Sequence, residues 1–212
     1  SYKYQGVKNL MPVTINGDGS ITGLSVGGLG SGVVNTATLA DGAASGSKLT
    51  MPSGSVIQTV QSVKTGIDSY STGSGTLSDS YFDISGLSVS ITPSSGTKCF
   101  VSYTVNVGGQ AGYGQGLALF RDSTQIYLAD ASGNIQRLSN FDYTVDNKKV
   151  DSMAGQFLDT HGANGSTAVT YKLQMYVAEP GWTTRVNRSQ STANDRDYGR
   201  GASSITVMEI AA

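Results

Sequence analysis

Val101, Tyr103, Val105 and Val107 alternate with Ser102, Thr104 and Asn106, and Val169, Tyr171, Leu173, Met175 and Val177 alternate with Thr170, Lys172, Gln174 and Tyr176. A period of two belongs to a strand with one buried face and one wet face. Runs of this kind, separated by clusters of Gly, Ser, Asn and Asp, predict strands at roughly 55–63, 81–92, 98–107, 116–121, 124–129, 135–145, 150–158, 168–178 and 203–210. Arg121-Asp122-Ser123-Thr124 reads as a tight hairpin turn between LALF and QIYL. Pro93 and the SSG after it mark a turn, and Pro180-Gly181 ends one long strand and opens a polar loop reaching about residue 202. The pattern predicts an all-β fold, a jelly-roll-like antiparallel β-sandwich, with the strand order left open.

Residues 1–53 follow no such period. Gly17 to Gly32 reads GDGSITGLSVGGLGSG, and small residues continue to Gly54. Alone, a segment like this buries too little apolar surface to offset the entropy of ordering it. It is either a flexible linker or an extended Gly/Ser-rich arm that orders against copies of itself or an assembly socket. The expected organisation is therefore an N-terminal arm, 1–53, and a β-sandwich head, 54–212. Tyr2, Tyr4, Leu10, Met11, Val13 and Ile15 supply the apolar groups that an anchor needs.

Composition narrows the function. Charged residues make up 14%, against about 25% in ordinary domains, and the only glutamates are Glu179 and Glu209. Asp without Glu favours turns over helices. A net charge of −1 gives no electrostatic case for nucleic acid or an anionic membrane as partner. No apolar run approaches the 18 or so residues of a spanning helix, and no cationic-then-apolar signal opens the chain. Cys99 is alone, flanked by Phe100 and Val101, and reads as a small buried hydrophobe in a protein made in a reducing cytosol.

Candidate chemistry is thin. His161 is the only histidine; with Asp159 nearby it would have to serve any Ser-His-Asp arrangement, yet no G-x-S-x-G elbow accompanies it. One His and one Cys fall short of a zinc site. Asp195 and Asp197 flank Arg196, but alternate residues of an extended segment point apart, which argues against a glycosidase pair. Asn16–Ser20 and Asp130, Ser132 and Asn134 lack the glycine and closing Glu of a calcium loop. GGLGSG lacks the spacing of a phosphate loop. No catalytic, metal or cofactor residue is expected. Asn164-Gly165-Ser166 and Asn187-Arg188-Ser189 are sequons that matter only on a secretory route.

The best surface candidates are Tyr113, the one large group in GGQAGYGQG, and the cluster Trp182, Arg185, Arg188, Arg196, Tyr198 and Arg200. Aromatics beside Arg suit either a sugar contact or a subunit interface. Tyr113, Trp182, Arg185 and Tyr198 are taken as candidate receptor contacts.

Four stretches carry a family resemblance: LADGAASGSKL at 39–49, MPSGSVIQTVQ at 51–61, THGANGSTAVTYKLQMYV at 160–177 and NRSQSTANDRDYGRGASSITVMEI at 187–210. Together they resemble the C-terminal domains of fibre proteins from tailed bacteriophages, especially marine and cyanobacterial phages. The resemblance spans roughly residues 39–210. It implies a virion component made in the host bacterial cytoplasm: a non-enzymatic homotrimer with a jelly-roll-like head for host attachment, often to surface glycans. It also implies that the arm joins the chain to other virion proteins, in the baseplate, tail adaptor or capsid. With only about fifty residues before the head, a short tail fibre or spike stands first, a capsid decoration protein second and a polysaccharide depolymerase third. No membrane insertion is implied.

Overall fold

The computed structural model describes residues 51–72, 81–191 and 193–212, together with two short strands, β1 (Thr14–Ile15) and β2 (Ile21–Thr22). The chain divides into two compact units, 1–50 and 51–212. In the first, β1 and β2 pair antiparallel, with Thr14 opposite Thr22 and Ile15 opposite Ile21. The other anchor candidates, Tyr2, Tyr4, Leu10, Met11 and Val13, lie outside the described residues.

The second unit contains β3 (Val56–Lys64), β4 (Asp68–Ser71), β5 (Tyr81–Ile91), β6 (Lys98–Gly108), β7 (Tyr113–Arg121), β8 (Thr124–Ile126) and β9 (Asn140–Thr144). It continues with β10 (Asp151–Asp159), β11 (Val169–Val177), β12 (Thr183–Val186) and β13 (Ser203–Ile210), and holds no helix among the described residues. One sheet runs β3-β13-β6-β12-β4, with β10 also on β6; the other runs β5-β11-β7-β8, with β9 also on β7. Every pairing among the described residues is antiparallel. Taken as layers, β3-β13-β6-β10 and β5-β11-β7-β9 are four strands each, and the chain changes layer at nearly every connection. This is the double Greek-key order of a jelly roll, with β4 and β12 added at one corner.

Alternation explains most of the core. On β11 every odd residue from Val169 to Val177 is buried, and on β6 Cys99, Val101, Tyr103, Val105 and Val107 are likewise inside. They meet Ile84, Leu87, Val89 and Ile91 of β5 and Ile205 and Val207 of β13 in one cluster. Each such side chain contributes roughly 1.5–3 kcal/mol by leaving water. Cys99 is fully buried as expected, and burial pushes its thiol pKa up. On β7 the alternation disappears, because Gly114 to Leu119 are buried on both faces. The Arg121–Thr124 turn forms as expected, with Asp122 at a φ of 52°, the left-handed value that primed hairpin turns require.

Three expectations are corrected. The strand at 124–129 ends at Ile126, because Tyr127 takes a φ of 55°, off the extended path. The strand at 135–145 shortens to Asn140–Thr144, because the segment before it folds on itself: Ile135 N donates to Ser132 O at 3.1 Å, and Arg137 Nε to the Ala129 carbonyl at 2.7 Å. The loop from Gly181 to Ala202 contains a strand, β12, whose four residues are too few to show a period. Its pairing comes from distant partners, with Thr184 opposite Tyr70 and Val186 opposite Val107.

The sandwich has two distinct ends. At the base, Gly54 N donates to Ala211 O and Ala211 N to Ser55 O, so the chain enters and leaves the head side by side. The base also holds Glu209, which is fully buried; it accepts from Gln58 Nε2 at 2.6 Å, Ser94 N at 2.8 Å and Thr97 Oγ1 at 2.9 Å. Burial raises its pKa, but these donors outweigh burial and the net shift is downward. At the opposite end, the tip, lie the C-terminal ends of β3, β6, β9 and β11 and the N-terminal ends of β7, β10 and β13.

Candidate functional site

The tip is built on glycines. β6 ends at Gly108, where an added Cβ would stand 2.2 Å from the Arg188 carbonyl oxygen. The loop that follows is pinned to its neighbours: Ala111 N donates to Asn147 Oδ1 at 2.8 Å and Gly112 N to Thr144 O at 2.7 Å. Beneath it the buried Gln115 donates to Thr144 Oγ1 at 2.6 Å. This seating delivers Tyr113 to the edge of the tip, at the first position of β7 rather than mid-loop.

Tyr113 and Trp182 meet there. Their rings stack with centroids 3.9 Å apart and an interplanar angle of 22°, and both residues are half-buried. Gly181, at a φ of 78°, turns the chain so that Trp182 reaches back, and its N–H is held by Thr72 O at 2.9 Å. The two candidates, about seventy residues apart, form one unit.

Beside this stack lies a cleft of about 290 Å³ lined by Gly112, Gly114, Phe141, Tyr143 and Glu179 along with Tyr113. Its walls come from β9, which has an inverted pattern. Thr144 is 1% exposed and points inward, whereas Phe141 and Tyr143 are 60% and 56% exposed and point outward. Register sets this: Phe141 lies opposite Gly116 and Tyr143 opposite Gly114 on the outer face of β7. Phe141 leans over Gly114, whose added Cβ would fall 2.5 Å from the ring, and Tyr143 is fixed by its hydroxyl donating to Gly112 O at 2.6 Å. Glu179 is exposed at the rim.

The remaining candidates separate. Arg185 of β12 donates through Nε to Gln190 at 3.0 Å and through Nη1 to Ser69 Oγ at 2.7 Å; partial burial, then the charge of Arg188, lowers its pKa. Tyr198 lies in a second hollow of about 230 Å³ with Arg188 and Arg200, which face one another across an isolated bridge. Arg188 Nη2 donates to Ser191 O at 2.5 Å, so it braces its own loop. Lys148 sits 5.5 Å from the Tyr198 ring and pairs with Asp197 at 3.2 Å. Asp195 Oδ1 accepts from Asp197 N at 3.3 Å in a local turn.

At the base, Asp159 and His161 do not join. Asp159 is buried, accepting from Arg121 Nη1 at 2.8 Å and from the Tyr171 hydroxyl at 2.7 Å. His161 Nδ1 accepts from Ala163 N at 2.9 Å, which puts the ring proton on Nε2, 3.3 Å from Thr97 Oγ1. Among the described residues no three His, Cys, Asp or Glu side chains come together to hold a metal ion. Asn16–Ser20 lies outside the described residues.

The sequon at Asn187 is a structural position. Asn187 is fully buried at a φ of 63°; its Nδ2 donates to Lys64 O at 2.7 Å and Gly66 O at 2.9 Å, and its Oδ1 accepts from Ser203 Oγ at 2.5 Å. An amide so engaged cannot carry a glycan in the folded chain. Phe141 and Tyr143 were not singled out in the sequence, and Glu179, Glu209 and Asn187 stood there only as the two glutamates and as a sequon. The legible signal was Asn140–Thr144 itself, where two aromatics share one face of a strand and polar groups the other.

No protein-family model and no curated protein matches the chain. Among solved structures, one of infectious bursal disease virus, Gt strain, aligns with a TM-score of 0.39 at 13% identity, over 74% of this chain and 39% of that chain. A VP2 protein of the same virus, from T=1 particles, aligns with a TM-score of 0.37 at 11% identity, over 74% of this chain and 37% of that chain. The chain thus spans about two fifths of the length of these structures. The jelly-roll assignment rests on its own strand pairing.

Proposed function

We propose that this protein is a non-enzymatic virion structural component, a trimeric short tail fibre or spike that is anchored through residues 1–53 and presents its β-sandwich head for host-surface attachment. The observation that carries the reading is the polarity of the head. The chain enters and leaves at the base, through the Gly54–Ala211 and Ala211–Ser55 hydrogen bonds, and the exposed aromatics cluster at the opposite end. A head held at one end and furnished with aromatic groups at the other suits attachment. The fibre-like stretches at 39–49, 51–61, 160–177 and 187–210 point the same way. The non-enzymatic part is supported by the acidic groups that were weighed for catalysis: Asp159 is buried against Arg121 and Tyr171, Asp197 pairs with Lys148 at the surface, and Asp195 holds a local turn.

Deleting residues 1–35 tests the reading. The truncated protein is expected to fold with an unchanged melting temperature and to be missing from assembled particles. Incorporation at the normal copy number would overturn it. Gold-labelled antibody on intact particles locates the full chain: label at the tail is expected, whereas label over the capsid would replace the fibre with a decoration protein.

A further inference from the structure

We infer that the cleft between Phe141, Tyr143 and Glu179 at the tip binds a neutral sugar ring; this rests on the attachment reading for its biological use. Three observations converge. Phe141 and Tyr143 face solvent because register requires it, and two large rings left 60% and 56% exposed on one strand form an apolar surface that a soluble domain has reason to cover. Their orientations are set in advance, Phe141 by its seat over Gly114 and Tyr143 by the bond to Gly112 O. Little entropy is then lost when a ligand arrives.

The third observation is charge. The cleft has a carboxylate, Glu179, at its rim and, among the described residues, no Lys or Arg in its lining. An acidic saccharide would be repelled, whereas the hydroxyls of a neutral ring would donate to that carboxylate, a charge-assisted hydrogen bond. The apolar C–H face of the ring would lie on Phe141 or Tyr143, the combination of apolar wall and few polar groups typical of small-ligand sites. At about 290 Å³ the cleft lies at the small end of such sites and suits one ring of a longer chain. The hollow around Arg188 and Arg200 has the opposite charge and is not part of this site.

The test titrates the full chain with glucose, galactose, mannose and N-acetylglucosamine, and with glucuronate as acidic counterpart, to about 100 mM each, well above the millimolar affinity of weak ligands. Labelled Phe and Tyr ring resonances report binding. Phe141 and Tyr143 signals are expected to move with at least one neutral sugar and not with glucuronate. Phe141→Leu, which keeps a hydrophobic cover over Gly114, is expected to weaken binding at least about tenfold with no change in melting temperature. Tyr143→Phe, which frees the ring from Gly112 O, and Glu179→Gln each weaken binding, and Arg200→Ala leaves it unchanged. Silence with all four neutral sugars, response to glucuronate alone, or full affinity in Phe141→Leu would each overturn the proposal. Silence here with gold label on the tail removes the sugar site and leaves the attachment reading. Sugar binding without label on particles does the reverse.

Discussion

Glu209 is the last charged residue of the chain and sits fully buried with hydrogen-bond donors in place of a cation. Because its folded pKa lies below the ordinary value of 4.5, the native state binds this proton less readily than the unfolded chain. Its contribution to stability is therefore present above about pH 4.5 and is lost as pH falls through the lower folded value. Urea unfolding of the wild type and Glu209→Gln is expected to show a gap that is constant near neutrality and closes as pH drops below that window. A gap that widened in acid would contradict the assignment. Neither Glu209 nor Asn187 was legible in the sequence. MEI reads as an alternating strand and NRS as a sequon, and only partners 16 to 151 residues away reveal buried polar hubs.

Strands with a long period-two run were legible: the alternations at 101–107 and 169–177 lie in β6 and β11 and point the way they predict. Short elements were not. β4 and β12 have four residues each and gain their hydrogen bonds from one another and from the end of β6. β9 was legible as a strand but not in its facing, because facing depends on which residues of β7 lie opposite. The corner where β12 meets β6 depends on Gly108. A methyl group there would meet backbone atoms of Arg188 and Ser189, at 2.2 and 2.8 Å, which cannot rotate away. Gly108→Ala is expected to cost about 2 kcal/mol, a fall in melting temperature of roughly 4–8 °C. It should also broaden amide signals from 183–201. An unchanged melting temperature would mean that the corner adapts freely.

For the whole molecule, the fold class was legible from composition and period together, whereas the layer order was not. Strand order follows from long-range pairing such as β3 with β13, about 150 residues apart, and spacing along the chain is silent on it. The candidate site was half legible: Tyr113 and Trp182 stood out as isolated rings, but their stacking and the neighbouring cleft required the fold. Trimeric assembly is tested by light scattering at two concentrations on the full chain and on residues 54–212. The full chain is expected at three times its 21.9 kDa mass. A trimer in the head alone would assign assembly to the sandwich, a trimer only in the full chain would assign it to the arm, and a monomer in both would remove the fibre reading.

The side-by-side entry and exit at the base also governs how the head bears a load. If the tip is held and the chain is pulled from residue 51, tension enters β3 at its first residue and runs along the strand axis. Its ladder to β13, from Val56–Ile210 to Lys64–Ser203, then resists in shear, with every rung strained together. Opening one rung at a time would require a pull across the strands. A head tethered this way is mechanically toughest along the line joining its base to its tip.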